Sequence, residues 1–296
     1  MRQHVLLSLL LIIVIIPTIC KAQLERRLVH QTRHVEQTFM APRNINILTV
    51  QNLAAGELHY SIMHTFGYVN GGYQTLWGID NGANIRLSLE YGLSDQLSMG
   101  IGRSSFDKIV DATIRYHFIR QMNDNSLPLS VSLSGGIGIN TSEYAYLESL
   151  GQRGYSFSDR LNFYGSLLLA RKFSDAFSLQ ISPGIVHFNR VGIQTRVEDP
   201  NQTTYLTTGI ASRLKITKRG AITFQFIPSL SGQRESHNLA LGYDIETGGH
   251  VFQLFFSTSQ ALNDSYLIAS ENGKLSEREF RIGFNVNRLF SINGSR

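Results

Sequence analysis

His59 and Ser61 stand two apart in an alternating segment, so on a strand they share one face. A histidine base and a serine nucleophile offered side by side in this way are the start of an acyl hydrolase. The spacing assigns no Asn or Asp to complete a triad, and a pair alone is not one. His59, His64, His187 and His250 would have to converge from distant positions to hold a metal or haem. None has a local spacing such as His-Glu-x-x-His, so no metal site and no cofactor are expected. Gly100-x-Gly102 and Gly135-Gly136-x-Gly138 lie inside strand-like runs with no helix following, which removes the phosphate-cradle geometry. In Asp244-Ile-Glu-Thr-Gly-Gly-His250, Gly248 and Gly249 supply the positive φ of a tight hairpin. Asp244, Glu246, Gly248, Gly249 and His250 are therefore turn residues and, as a second reading, a docking point for a partner or for the chain's own N-terminal segment.

The elements that must position these residues are strands. Ile85, Leu87, Leu89 and Tyr91 alternate with Asn84, Arg86, Ser88 and Glu90. Val110, Ala112, Ile114, Tyr116 and Phe118 alternate with Asp111, Thr113, Arg115 and His117. A helix would mix these two sets, whereas a strand separates them onto opposite faces. About twelve such runs begin near Glu57, Ala83, Leu97, Val110, Leu129, Asp159, Phe177, Tyr205, Ala221, His237, His250 and Glu279. An even number of runs, mostly long enough to cross lipid at a tilt, predicts an all-β, antiparallel, up-and-down transmembrane β-barrel. The last run, Glu279 to Phe290, puts Phe280, Ile282, Phe284, Val286 and Phe290 on one face and Arg281, Gly283, Asn285 and Asn287 on the other.

Connections alternate in length. Leu93–Gln96, Ser174–Ala176, Thr217–Gly220 and Glu246–Gly249 are tight, while 67–82, 141–158, 190–204 and 259–278 are long. This is the periplasmic and extracellular asymmetry of outer-membrane barrels. Aromatic residues collect at both strand ends: Tyr91, Phe118, Phe173, Phe177 and Phe290 by the tight turns, and Phe66, Phe106, Phe188, Tyr205 and Phe280 at the opposite ends. Two such belts are what two membrane interfaces select.

Alternation alone does not say which face looks outward. The polar face carries Arg86, Glu90, Asp111, Arg115, Gln180, Gln225, Asp244 and Arg281, too much charge for lipid and acceptable in a wet or ion-paired lumen. A twelve-strand barrel is also too wide for apolar side chains to fill. Turned inward by the same rule, His59 and Ser61 line the lumen, whereas the outer-membrane phospholipase arrangement faces lipid.

The N-terminus reads as a secretory signal. Arg2 and His4 precede an apolar run from Val5 to Ile16, too short for a membrane-spanning helix. Cleavage after Ala22 removes Cys20, the single cysteine, and with it disulfides, thiol catalysis and Cys-based metal sites. Lys plus Arg then falls from 27 to 25 against 22 acids, and the net charge from +5 to +3. A charge that weak and dispersed gives no footprint for nucleic acid. Charged residues are 17% of the chain, below the roughly 25% usual in soluble domains. Residues 23–56 hold no period for long and read as a periplasmic leader or plug-like segment, 57–290 as the barrel, and 291–296 as a tail.

Further segments stand out together: Ser61-Ile-Met-His-Thr-Phe-Gly67, Gly78-Ile-Asp-Asn81, Leu89-Glu-Tyr-Gly-Leu-Ser94, Gly100-Ile-Gly-Arg-Ser104, Ala170-Arg-Lys-Phe173, Pro183-Gly-Ile-Val-His-Phe-Asn189, Gly242 through Leu254, and Phe284-Asn-Val-Asn-Arg288. In these segments and their spacing the chain resembles an uncharacterised family, a domain of unknown function, of outer-membrane-type β-barrel proteins in Gram-negative bacteria. The resemblance spans Phe39 to Phe290. Thr65 stands where the family pattern often has Arg, so no role for a His–Arg pair carries over. The resemblance implies a barrel and supplies no reaction.

The expected function is passage or binding of small solutes by a monomeric, non-enzymatic outer-membrane barrel. Arg86, Glu90, Asp111, Arg115, Asp244 and Arg281 are the lumen-lining candidates that would set selectivity or close the lumen. A plugged structural or docking barrel with a periplasmic protein partner is the first alternative, and an acyl hydrolase using His59 and Ser61 the second. Outer-membrane lipid is the expected environment in each case.

Overall fold

A strand that is greasy on one face and polar on the other needs two different surroundings, and closing a sheet on itself supplies both. In the computed structural model, which describes residues 32–149, 154–191, 197, 201–228, 230 and 237–292, His34 onward forms one unit built on such a closed sheet. The signal peptide, Cys20 and the cleavage site lie outside the described residues, as do the last four residues of the tail.

Two short strands, β1 (Arg43–Asn44) and β2 (Ile47–Leu48), form a small hairpin in the N-terminal leader. The barrel follows as β3 (Glu57–Tyr68), β4 (Asn84–Gly92), β5 (Leu97–Ser104), β6 (Ile109–Ile119), β7 (Ser130–Asn140) and β8 (Leu161–Lys172). It continues with β9 (Phe177–Phe188), β10 (Thr204–Lys215), β11 (Gly220–Ile227), β12 (Asn238–Thr247), β13 (His250–Ser257) and β14 (Arg281–Ser291). Each strand pairs antiparallel with its neighbours in sequence, and β14 closes on β3 through pairs such as Val286 with Ile62. The fold is thus a closed twelve-strand antiparallel barrel, as the period-two pattern requires. Two short helices, α1 (Tyr144–Ser149) and α2 (Asp264–Ala269), lie in the long connections.

The faces sort as expected. Leu87, Ile101, Ile114, Leu133, Ile185 and Leu254 point outward and are each about half exposed. Arg86, Arg115, Ser132, Gln180, Gln225 and Asn285 point inward and are buried. The belt beside the tight turns is in place: Phe118, Phe173, Phe177 and Phe290 are exposed, and Phe173 stacks on Phe177 at 5.8 Å. The opposite belt needs a correction. Phe188 and Tyr205 are wholly buried, because they occupy inward positions on β9 and β10. The Phe188 ring lies 5.7 Å from that of Tyr266 in α2, which has come inside the barrel, and 6.1 Å from that of Tyr205. The connection 258–280, expected as an external loop, therefore supplies part of the interior.

Candidate functional site: a lumen filled from both ends

The inward face presents polar side chains in a ring, and two segments come in to meet them. From the tight-turn end the leader enters, and Thr38 to Val50 is buried apart from a partly exposed Met40. A hairpin of two residue pairs leaves backbone groups that must be satisfied elsewhere. Side-chain amides of the wall do this. Gln225 Oε1 accepts from both the Asn46 and Ile47 N–H, at 3.0 Å each. Gln180 imitates a strand edge: its Oε1 accepts from Val50 N–H at 2.9 Å and its Nε2 donates to Leu48 O at 2.7 Å. Asn285 Nδ2 donates to Ile45 O at 2.7 Å, and Gln253 Nε2 to Arg43 O at 3.2 Å. Arg115 Nη1 donates to Thr49 O at 2.7 Å, and Arg213 Nη1 to Gln37 O at 2.7 Å.

From the long-loop end comes the segment carrying α2. Asn263 caps this helix by accepting from Tyr266 N–H at 2.9 Å. Tyr266 Oη donates to Asp107 Oδ2 at 2.7 Å, Ser265 Oγ to Asn162 Oδ1 at 2.7 Å, and Asn84 Nδ2 to Gln260 O at 2.8 Å. The two segments share one apolar cluster, in which Phe39, Ile47 and Leu48 of the leader join Tyr266 and Leu267. The cavity between them, lined by Ile47, Leu48, Tyr164, Leu168 and Leu267 among others, measures about 30 Å³. That is room for about one or two waters.

The segments also meet through charge. Arg43 Nη1 lies 2.9 Å from Asp264 Oδ1 and Nη2 lies 2.7 Å from Oδ2, a bidentate pair with both side chains buried. Burial alone would lower the Arg43 pKa, but the Asp264 carboxylate outweighs it and holds the guanidinium above its ordinary value.

All six lumen-lining candidates face inward, mostly as neutralised pairs. Arg86 bonds Asp111 twice, one contact being Nη2 to Oδ1 at 2.7 Å. Arg115 pairs with Glu90. Arg281 lies over the Tyr68 ring at 3.5 Å. Asp244 accepts from Gln253 Nε2 at 3.0 Å and from Thr223 Oγ1 at 3.3 Å, and forms no ion pair among the described residues. Of the turn or docking candidates, Glu246, Gly248, Gly249 and His250 form the tight turn, with φ of +51° and +93° at the glycines, while Asp244 lies inside on β12. A cavity of about 280 Å³ separates that turn from the leader and is lined by Gln37 and Met40 on one side and Glu246 and His250 on the other.

The histidines do not converge. His59 Nε2 lies 3.1 Å from Asn287 Oδ1 in the lumen. His64 stacks on Phe284 at 4.6 Å on the outer face, His187 bonds Thr204 Oγ1 at 2.8 Å, and His250 meets Arg288. Ser61 Oγ makes no hydrogen bond to protein, so the His–Ser contact of a hydrolase is not formed. Sequence reasoning missed Arg43, Gln253 and Asp264 as residues that hold the lumen contents. A signal existed for Gln180, Gln225, Arg115 and Asn285, which stand on the polar, inward faces of their strands.

A closed barrel with an apolar exterior and a charge-paired interior accounts for the twelve strands β3 to β14. The family pattern described as "Membrane bound beta barrel domain (DUF5777)" matches residues 39–290. The chain belongs to this family. No curated protein matches the sequence significantly. Among solved structures the chain is similar to the NanC porin, at 7% identity and a TM-score of 0.48, covering 78% of this chain and 98% of that one. It is also similar to the KdgM porin, at 9% identity and 0.44, covering 79% and 98%. A third likeness is to an outer membrane channel from Pseudomonas putida F1, at 11% identity and 0.41, covering 85% and 100%. Likenesses at this level bear on neither solute nor mechanism. The family match begins at Phe39, so the buried part of the leader belongs to the family domain and is not an appendage to it.

Proposed function

We propose that this family member is an outer-membrane barrel, exported through its N-terminal signal, that holds its lumen shut with its own chain and admits small solutes only when that chain moves. The observation that carries this reading is the capture of the leader backbone from Asn46 to Val50 by Gln225 and Gln180. A freely open pore would leave those inward amides to water. Hydrogen bonds to side-chain amides are also exchangeable for water at modest cost, about 0.5–1.5 kcal/mol net each, which suits a closure that can be undone. A second reading, a barrel that docks a periplasmic protein, draws support from the cavity between the leader and the turn at Glu246–His250. Planar-bilayer recording tests the first. Folded wild-type protein is expected to be electrically silent, and deletion of residues 38–50 to give steady openings. Steady ohmic conductance by wild type would overturn it.

A further inference from the structure

We propose that the barrel transmits a change at its long-loop mouth to its leader at the opposite mouth, through the Arg43–Asp264 pair; this rests on the plugged reading above. The two segments enter from opposite ends, come from positions 221 residues apart, and meet inside the barrel. Their meeting point is a bidentate ion pair whose partners are 8% and 9% exposed. Arg43 is tied to its own hairpin by a second bond, Nη1 to Asn46 O at 2.6 Å. Asn46 is the residue whose N–H Gln225 holds. Asp264 sits in the first turn of α2, one residue from Ser265 and two from Tyr266, which anchor that helix to the wall at Asn162 and Asp107. A single chain of contacts thus runs from the barrel rim through α2 and the ion pair to the leader clamp.

Withdrawing α2 leaves the Arg43 cation buried without its counterion, and withdrawing the leader leaves the Asp264 carboxylate in the same state. Breaking a buried pair from one side is strongly unfavourable. Each segment is therefore less stable in place once the other has gone, and linkage makes the effect equal in both directions. An occupant at the long-loop face that pulls 258–280 outward would loosen the leader at the other end. The leader then becomes available on that side, which is a signal crossing the membrane without a solute having to cross.

The test uses two thiol reporters in a Cys20→Ser chain, folded into phosphatidylcholine vesicles and verified as barrel by heat-modifiable gel migration. Thr49→Cys reports the leader and Ala269→Cys the loop, and both native residues are buried. Maleimide labelling is expected to be slow at both. Fast labelling of both at the rate of a free thiol would overturn the plugged reading itself. Tyr266→Phe, which removes the anchor on Asp107 and leaves the amide clamps on the leader in place, is expected to speed labelling at Thr49→Cys roughly tenfold. Arg43→Met is expected to do the same at Ala269→Cys. In the uncharged pair Arg43→Met with Asp264→Leu, Tyr266→Phe is expected to leave Thr49→Cys unchanged. If Tyr266→Phe frees Ala269→Cys while Thr49→Cys stays protected at its original rate, the lumen is plugged but the mouths are independent, and the inference falls.

Discussion

Gln225→Leu removes one amide from the lumen wall and changes little in volume. Its consequence follows from what that amide holds. Oε1 accepts from two leader N–H groups at 3.0 Å, and Nε2 donates to Asn238 Oδ1 at 3.0 Å. Gln225 and Asn46 are both fully buried, so the substituted barrel leaves two buried donors without their acceptor. Each such loss costs about 1–3 kcal/mol. Water entering a polar lumen recovers part of it, and the leucine gains some packing, which leaves about 2–4 kcal/mol against the seated leader. At about 1.4 kcal/mol per tenfold, the ratio of open to closed barrels rises by roughly 30- to 700-fold. In planar bilayers this appears as brief openings where wild type is silent, and in vesicles as faster labelling of a Thr49→Cys reporter. Gln74→Leu, at an exposed loop position, serves as the baseline. A Gln225→Leu protein that migrates as a folded barrel yet stays silent and equally protected would refute the argument, because the leader would then be held by something other than these bonds.

Three further outcomes follow from the same wall. Arg86→Leu strands the Asp111 carboxylate and is expected to lower folded stability by about 3–5 kcal/mol, read as a lower urea midpoint in vesicles, with Arg86→Leu/Asp111→Leu recovering most of it. Leu133→Arg puts a cation on the lipid face of β7, where Leu133 is 49% exposed, and is expected to cost about 2–4 kcal/mol of insertion near the bilayer middle, measured as a reduced folded fraction. Wild type and Ser61→Ala are expected to release equal, background amounts of fatty acid from phospholipid vesicles, since Ser61 Oγ makes no hydrogen bond to His59; release abolished by Ser61→Ala would restore the hydrolase reading.

The barrel was legible because alternation is a strong constraint when the two sides of a sheet face such different media. Every barrel-strand start falls within two residues of its expected place: Glu57, Leu97, Phe177 and His250 agree, while Asp159 and Glu279 move to Leu161 and Arg281; the leader hairpin β1–β2 was not foreseen. The outward face follows correctly from the alternation for Leu87, Leu89 and Ile114, since a charge-rich opposite face leaves no other choice. The rule failed at Phe188 and Tyr205. Their positions at the ends of β9 and β10 suggested an interface belt, but their inward direction was the deciding fact. An aromatic ring can face the lumen when another segment brings apolar surface to meet it, and nothing in β9 or β10 announces that Tyr266 will arrive.

That segment and the leader were not legible for a shared reason. Sequence patterns report elements that bury a periodic face, and neither Thr38–Val50 nor 258–270 has one. Their placement is decided by single side chains reaching single backbone groups, as Gln180 does at Leu48 and Val50. Such contacts leave no period and tolerate many residue types on the captured strand, because an amide reads backbone and not side chain. The exceptions are Arg43 and Asp264. Placing these two ions in a buried site makes sense only if each is expected to find the other, and a bidentate pair needs both segments seated at once. The long-range contact least visible in the sequence is therefore the one that makes closure of this lumen a joint property of its two ends.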